Sequence, residues 1–143
     1  MQYNSSDKKS VQILVEQCYK YGLKHVVISP GSRNAPLIIA FGNHPEFTCY
    51  SIPDERTAGF YALGMARQLN KPVALVCTSG TAVLNYAPAL TEAYYQEVPV
   101  IAITADRPPY MIDQEDGQTI RQHHIFSNHS NYSCSLPIGE TED

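Results

Sequence analysis

The sequence predicts an α/β fold, a doubly wound, mostly parallel sheet with helices on both faces. Three observations lead there. Helical and extended segments alternate along the 143 residues in the order α-β-α-β-α-β-α-β. The extended segments are unbroken apolar runs, which is how parallel strands covered on both faces read. Apolar residues make up 43% and charged residues 17% of the chain, a balance that belongs to globular proteins and not to disordered ones. The length suits a single domain over residues 1–143, with no internal repeat and no linker.

Residues 10–21 read as the first helix, because Val11, Leu14, Val15 and Cys18 share one face and Gly22 follows as a stop signal. The β-branched run HVVIS is the first strand, broken by PGSR. A second helix runs through APLIIAFG, with Pro36 tolerated in its first turn. FTCYSI is the second strand, DERTAGFYALGMARQLN the third helix and PVALVCT the third strand. The fourth helix, SGTAVLNYAPALTEAYYQ, is expected to bend at Pro88. PVIAITAD is the fourth strand. A Pro-, Asp- and Gln-rich loop follows, then a turn of helix at QTIRQ and a last strand at NYSCSLP.

Composition narrows the function. A net charge of -4 argues against nucleic-acid binding, which draws on a basic surface. No apolar run approaches a membrane span, and the polar start MQYNSSDKKS has no signal-peptide core, so a cytoplasmic protein is expected. Cys18, Cys49, Cys77 and Cys134 form no C-x-x-C pair and are expected to be small core residues. His123, His124 and His129 lie in a polar stretch without a carboxylate at ligand spacing, so surface histidines are expected and no metal site.

In doubly wound sheets, ligands bind beyond the carboxyl ends of the strands. The four exits here are SPGSRN, SIPDER, CTSGTA and TADRPP, all polar or glycine-rich. Arg33 and Arg107 sit at exits, whereas Lys8, Lys9, Lys20, Lys24 and Lys71 lie elsewhere. Arginine's planar fork matches a carboxylate or phosphate through two bonds, so the pair suggests an anion site. Thr78, Ser79 and Gly80 precede a helix whose first N–H groups suit an anion or a closely approaching ring, and capping by Ser79 explains them equally well. Neither a P-loop nor a G-x-G-x-x-G fingerprint is present. Asp54 is placed to cap the third helix and Glu55 lies in its first turn, where the helix dipole favours negative charge. That helix is slim, with Ala58, Gly59, Ala62, Gly64 and Ala66. Each interior glycine costs about 1 kcal/mol relative to alanine, so another helix or chain is expected to pack close. A glutamate entering such a place would lose water, which raises a carboxyl pKa and lets it keep a proton.

Taken together, ISPGSRNAPL, DERTAGFYALGMA, TSGTAVLNYAPALTEAYY, TADRPP and QTIRQ resemble the N-terminal pyrimidine-binding domain of thiamine-diphosphate enzymes. Within them the stretch resembles the 2-succinyl-5-enolpyruvyl-6-hydroxy-3-cyclohexene-1-carboxylate synthases of menaquinone biosynthesis, from about Ser10 to Pro137. The resemblance implies the pyrimidine-domain fold and a transferase that decarboxylates 2-oxoglutarate on thiamine diphosphate and adds the resulting carbanion to isochorismate. It implies that Glu55 is catalytic, bonding N1′ of the cofactor's aminopyrimidine, with Thr78, Ser79 and Gly80 as further cofactor contacts. Ser32, Arg33, Arg107 and Gln118 are the implied substrate contacts, suited to two dicarboxylates. Gly117 stands where some relatives carry a polar amide. Enzymes of this kind are several times longer, hold Mg²⁺ and the diphosphate in a further domain through a G-D-G motif and a downstream Asn, and build the active site between subunits. That motif is not in this sequence. The expectation is therefore an N-terminal domain of a homodimer or homotetramer, inactive by itself. Two alternatives stay open at this level: the same domain of another thiamine-dependent carboligase, such as an acetolactate-synthase-like enzyme, and a non-catalytic α/β binding or assembly module.

Overall fold

The computed structural model describes residues 5–136. The elements are α1 (Lys9–Lys20), β1 (His25–Ile28), α2 (Ala35–Asn43), β2 (Thr48–Ser51), α3 (Glu55–Leu69), β3 (Val73–Cys77), α4 (Thr81–Asn85), α5 (Ala87–Tyr95) and β4 (Val100–Thr104). Two short 3₁₀ turns follow, at Pro109–Met111 and Ser127–His129. The four strands form one parallel sheet in the order β2-β1-β3-β4. This bears out the expected α/β class.

Side chains alternate across a strand, and the two faces of the sheet divide the core accordingly. Val26 and Ile28 of β1 and Ala74 and Val76 of β3 pack with Val15, Leu37, Ala40 and Phe41 under α1 and α2. Val27 of β1 and Val73, Leu75 and Cys77 of β3 pack with Ala58, Ala62, Ala66, Val83, Tyr86 and Leu90 under α3, α4 and α5. A fully buried valine or leucine contributes about 1.5–3 kcal/mol, so the two central strands carry most of the apolar stabilisation.

Five local expectations need correction. The fourth helix is not bent but divided, into α4 and α5, at Tyr86. Pro88 has no N–H for a bond to Leu84, and its ring would clash with that carbonyl. QTIRQ forms no helix, because Gln118 adopts a left-handed φ of 55° and the segment's polar groups go to the neighbouring turn. Residues 131–136 form no strand, and Pro137 of that stretch lies outside the described residues. Full coverage on both faces holds for β1 and β3 but not for the outer strands: β2 is mostly exposed, and Ile101 of β4 is 42% exposed. Of the cysteines only Cys77 is buried, Cys18 being intermediate and Cys49 and Cys134 exposed, all with free thiols.

The sheet order reverses between β1, whose next strand lies on one side, and β3, which lies on the other. Such a switch point opens a crevice beyond the carboxyl ends of the strands. The exits predicted from sequence therefore converge on one end of the molecule, around β1 and β3.

Candidate functional site

The floor of this region is a set of satisfied polar groups. Asn34, fully buried, accepts the Gly31 N–H at 2.8 Å and donates to the Ser29 carbonyl at 2.9 Å, which shapes the turn leaving β1. The Ser29 hydroxyl donates to the Ile52 carbonyl at 2.9 Å and so ties the β1 exit to the β2 exit. Gly31 lies so close to the β3 exit that a Cβ there would meet the Thr78 Cβ at 2.7 Å. The loops after β1 and β3 are thus packed against each other, and only glycine fits.

On the other side of β3, the turn Thr78–Ser79–Gly80 is buried. Gly80 has φ 80° and ψ -138°, a conformation open to glycine almost alone. A Cβ there would lie 2.8 Å from the backbone of Gln118. The Ser79 hydroxyl donates to the Gln118 carbonyl at 2.9 Å, and the Gly80 N–H donates to Gln122 Oε1 at 3.1 Å. Ser79 therefore does not cap α4, and the Gly80 N–H is not free for an anion. Thr78 differs: its hydroxyl is buried without a hydrogen-bond partner.

Arg33 and Ser32 are exposed on the loop after β1. Arg107 is half-buried on the loop after β4, donates from Nη2 to the Gly117 carbonyl at 2.9 Å, and has a buried Nε without a partner. Since β3 lies between β1 and β4, the loops that carry the two arginines leave strands on either side of β3, and those strands are about 10 Å apart. Gln118 is exposed, held through its backbone. Arg121 pairs with Asp113 at 2.9 Å on the surface.

Asp54 caps α3 as expected, accepting the Thr57 N–H at 2.7 Å, and the bonds to Thr57 hold its carboxyl below the ordinary range. Glu55 follows in the first helical turn and is half-exposed. Deep burial of α3 begins only at Ala58, so the described residues do not enclose Glu55 as the slim helix led one to expect. The close approach is real one turn further on. A Cβ at Gly59 would meet the Ala89 Cβ of α5 at 2.8 Å, whereas a Cβ at Gly64 would meet nothing within 4 Å. Behind Glu55 lie two buried groups that feel its charge, Cys77 and Tyr86. Burial, with the Glu55 carboxylate adding in the same direction, pushes the Cys77 thiol up to about 12. Burial likewise lifts the Tyr86 phenol above its usual range, and its hydroxyl makes no hydrogen bond of ordinary geometry.

The arrangement combines a solvent-accessible carboxyl group at the head of α3, a buried Thr78 hydroxyl without a partner, and an arginine on each of the loops after β1 and β4. That suits a heterocycle beside an acid ligand. Among the described residues no group of three or more His, Cys, Asp or Glu could hold a metal ion. His123 and His124 are exposed, and His129 packs against Tyr94 and Tyr95.

Residues 8–129 match the family described as thiamine pyrophosphate enzyme, N-terminal TPP binding domain. The chain belongs to this family. As a thiamine pyrophosphate enzyme N-terminal domain it has relatives called 2-succinyl-5-enolpyruvyl-6-hydroxy-3-cyclohexene-1-carboxylate synthase. That of Flavobacterium psychrophilum is 60% identical over 132 residues, 92% of this chain and 24% of the relative. That of Christiangramia forsetii is 61% identical over 123 residues, 86% of this chain and 21% of the relative. That of Porphyromonas gingivalis is 52% identical over 136 residues, 95% of this chain and 24% of the relative. The chain spans about a quarter of the length of the curated relatives it matches.

One residue of this TPP-binding domain escaped the sequence reading. Gln122 is 7% exposed and makes three side-chain bonds to two other segments, the Gly80 turn and the end of β4. Its only signal in the sequence was its place at the end of QTIRQ, where a buried glutamine and a surface one look alike.

Proposed function

We propose that this chain is the N-terminal, aminopyrimidine-binding domain of a thiamine-diphosphate-dependent transferase. The full enzyme decarboxylates 2-oxoglutarate and joins the remaining four-carbon unit to isochorismate in menaquinone biosynthesis. The family and the names of the relatives support this reading. The observation that carries it is Glu55, half-exposed at the start of α3 with buried Cys77 and Tyr86 behind it.

The described residues suit one half of the cofactor. Glu55 can hold a proton between its carboxyl group and a ring nitrogen, here N1′ of the aminopyrimidine. Thr78 offers a buried hydroxyl with no other partner, while Ser79 and Gly80 act through the shape of their turn. They do not suit the other half, since the described residues include no metal cluster. Mg²⁺ and the diphosphate would be held by residues outside this chain. When bound, thiamine diphosphate supplies the electron sink that decarboxylation of a 2-oxo acid needs.

Ser32, Arg33, Arg107 and Gln118 are assigned to the acid substrates. Arg33 is exposed and Arg107 keeps a buried Nε without a partner, so each has donors to offer a carboxylate. The full enzyme is proposed to be a cytoplasmic homodimer or homotetramer, and no described helix is long and apolar enough to cross a membrane.

The test is Glu55→Gln in the full-length enzyme. The amide keeps the shape but cannot share an acid proton, so turnover of 2-oxoglutarate with isochorismate should fall at least about a hundredfold. The melting temperature should hold, because Glu55 is half-exposed. Ordinary rates in this variant would remove Glu55 from its role. The 143-residue chain alone should release no carbon dioxide from 2-oxoglutarate.

A further inference from the structure

The loop between β4 and Gln122 carries two of the assigned substrate residues, Arg107 and Gln118, yet contains no helix or strand longer than one 3₁₀ turn. Its order must come from its fastenings. Gln122 supplies the main one. Its Nε2 donates to the Ala105 carbonyl at 2.7 Å and to Thr104 Oγ1 at 3.1 Å, both at the end of β4. Its Oε1 accepts the Gly80 N–H at 3.1 Å.

The polar accounting is complete. A backbone N–H can only donate and a backbone carbonyl can only accept, so the partners dictate the orientation of the amide. Gly80 needs an acceptor and the Ala105 carbonyl a donor at this buried point, while the Thr104 hydroxyl can turn to suit, and the Gln122 amide supplies both from one side chain. Loop start and loop end are thereby drawn together at Ala105 and Gln122, and the closed base is seated on the Gly80 turn. Two further contacts depend on that seating. The Gln118 backbone lies against Gly80 at a distance that excludes a Cβ, with its carbonyl bonded by Ser79. The Gly117 carbonyl, next along, receives Arg107 Nη2.

We propose that Gln122 is a positioning residue for substrate recognition: by closing the base of the 106–121 loop on the Gly80 turn, it holds Arg107 and Gln118 at the site. The inference rests on the reading that these two residues bind the acid substrates. Gln122 itself, buried beneath the loop, acts through them and not by contact. Thr78 is packed independently against Gly31, so the cofactor side of the turn should feel the loss less than the substrate side.

The test uses Gln122→Glu in the full-length protein, which keeps the volume and the acceptor for Gly80 but replaces the donor nitrogen with an oxygen facing the Ala105 carbonyl. Hydrogen exchange without cofactor should speed up across residues 106–121 and remain unchanged in β1 and β3. KM for 2-oxoglutarate should rise about tenfold or more, since small misplacements of binding groups have effects of that size. The dissociation constant for thiamine diphosphate should change by less than about threefold, roughly 0.7 kcal/mol. Unchanged loop exchange, or equal losses of substrate and cofactor binding, would overturn the proposal, the second outcome marking Gln122 as plain scaffold. Arg107→Ala separates the two readings. If it leaves KM unchanged, the assignment of Arg107 to substrate fails, while the exchange result still judges whether Gln122 holds the loop. Should Gln122→Glu fail to fold, Thr104→Val removes a single bond and is expected to give the same pattern at smaller amplitude. No loop-specific change in that variant would equally overturn the proposal.

Discussion

On the β3 and β4 side of the candidate site, Ser79, Gly80 and Gln122 are buried and bonded, and Ser79 also holds the backbone carbonyl of the exposed Gln118. On the β1 and β2 side, Ser32 and Arg33 are exposed and Glu55 is half-exposed. The two sides differ in what their polar groups have already found. A buried, bonded group has its desolvation offset within the fold and contributes shape. A group still facing water can exchange that water for a ligand. Substitutions on the closed side should therefore register first in stability, and those on the open side in activity.

Glu55→Gln is the sharpest probe of this contrast, with a large loss of turnover and no loss of stability expected. Gly80→Ala is its counterpart on the closed side. The new Cβ would meet the Gln118 backbone at 2.8 Å at a positive φ. A loss of about 2–4 kcal/mol is expected by urea unfolding, because strain and a backbone clash add.

Within α3 the same contrast can be made with two glycines. Gly59→Ala drives a methyl into Ala89 and should cost about 1–3 kcal/mol. Gly64→Ala meets nothing and should stabilise the 143-residue chain by about 0.5–1 kcal/mol through helix propensity. Equal effects at the two positions would mean that the α3–α5 packing is not as close as described.

The smallest effect is expected at Asp54→Ala, with thermal melts followed against pH. Asp54 has its carboxyl pKa depressed by Thr57, so its capping contribution is full above the ordinary aspartate range. It fades as pH falls through the lowered folded value. The melting temperature of Asp54→Ala should lie below wild type at neutral pH, and the two should converge in acid. A gap that widened as pH fell would contradict the cap.

Much of this could be read from one dimension. The helices announced themselves by period, the strands by unbroken apolar runs, and Asp54 by its position before an apolar face. The failures cluster where the chain has no period. QTIRQ looked like a turn of helix because short polar segments carry little local preference, and its conformation answers to Gly80, some forty residues earlier. The enclosure expected for Glu55 was inferred from the slimness of the whole helix. Packing uses that slimness at Gly59 and leaves Gly64 open.

The linear order of residues was enough to determine the α/β class, the exits where chemistry should gather, and the carboxylate at the head of the third helix. Each of these follows from local periodicity, capping and the direction of parallel strands. Only the three-dimensional fold decided which N–H groups remain free, which glycine is crowded, and that Gln122 ties the end of β4 to the Gly80 turn. Those outcomes depend on which groups meet across long sequence separations, and hydrogen-bond satisfaction in a buried place is a property of all the partners at once.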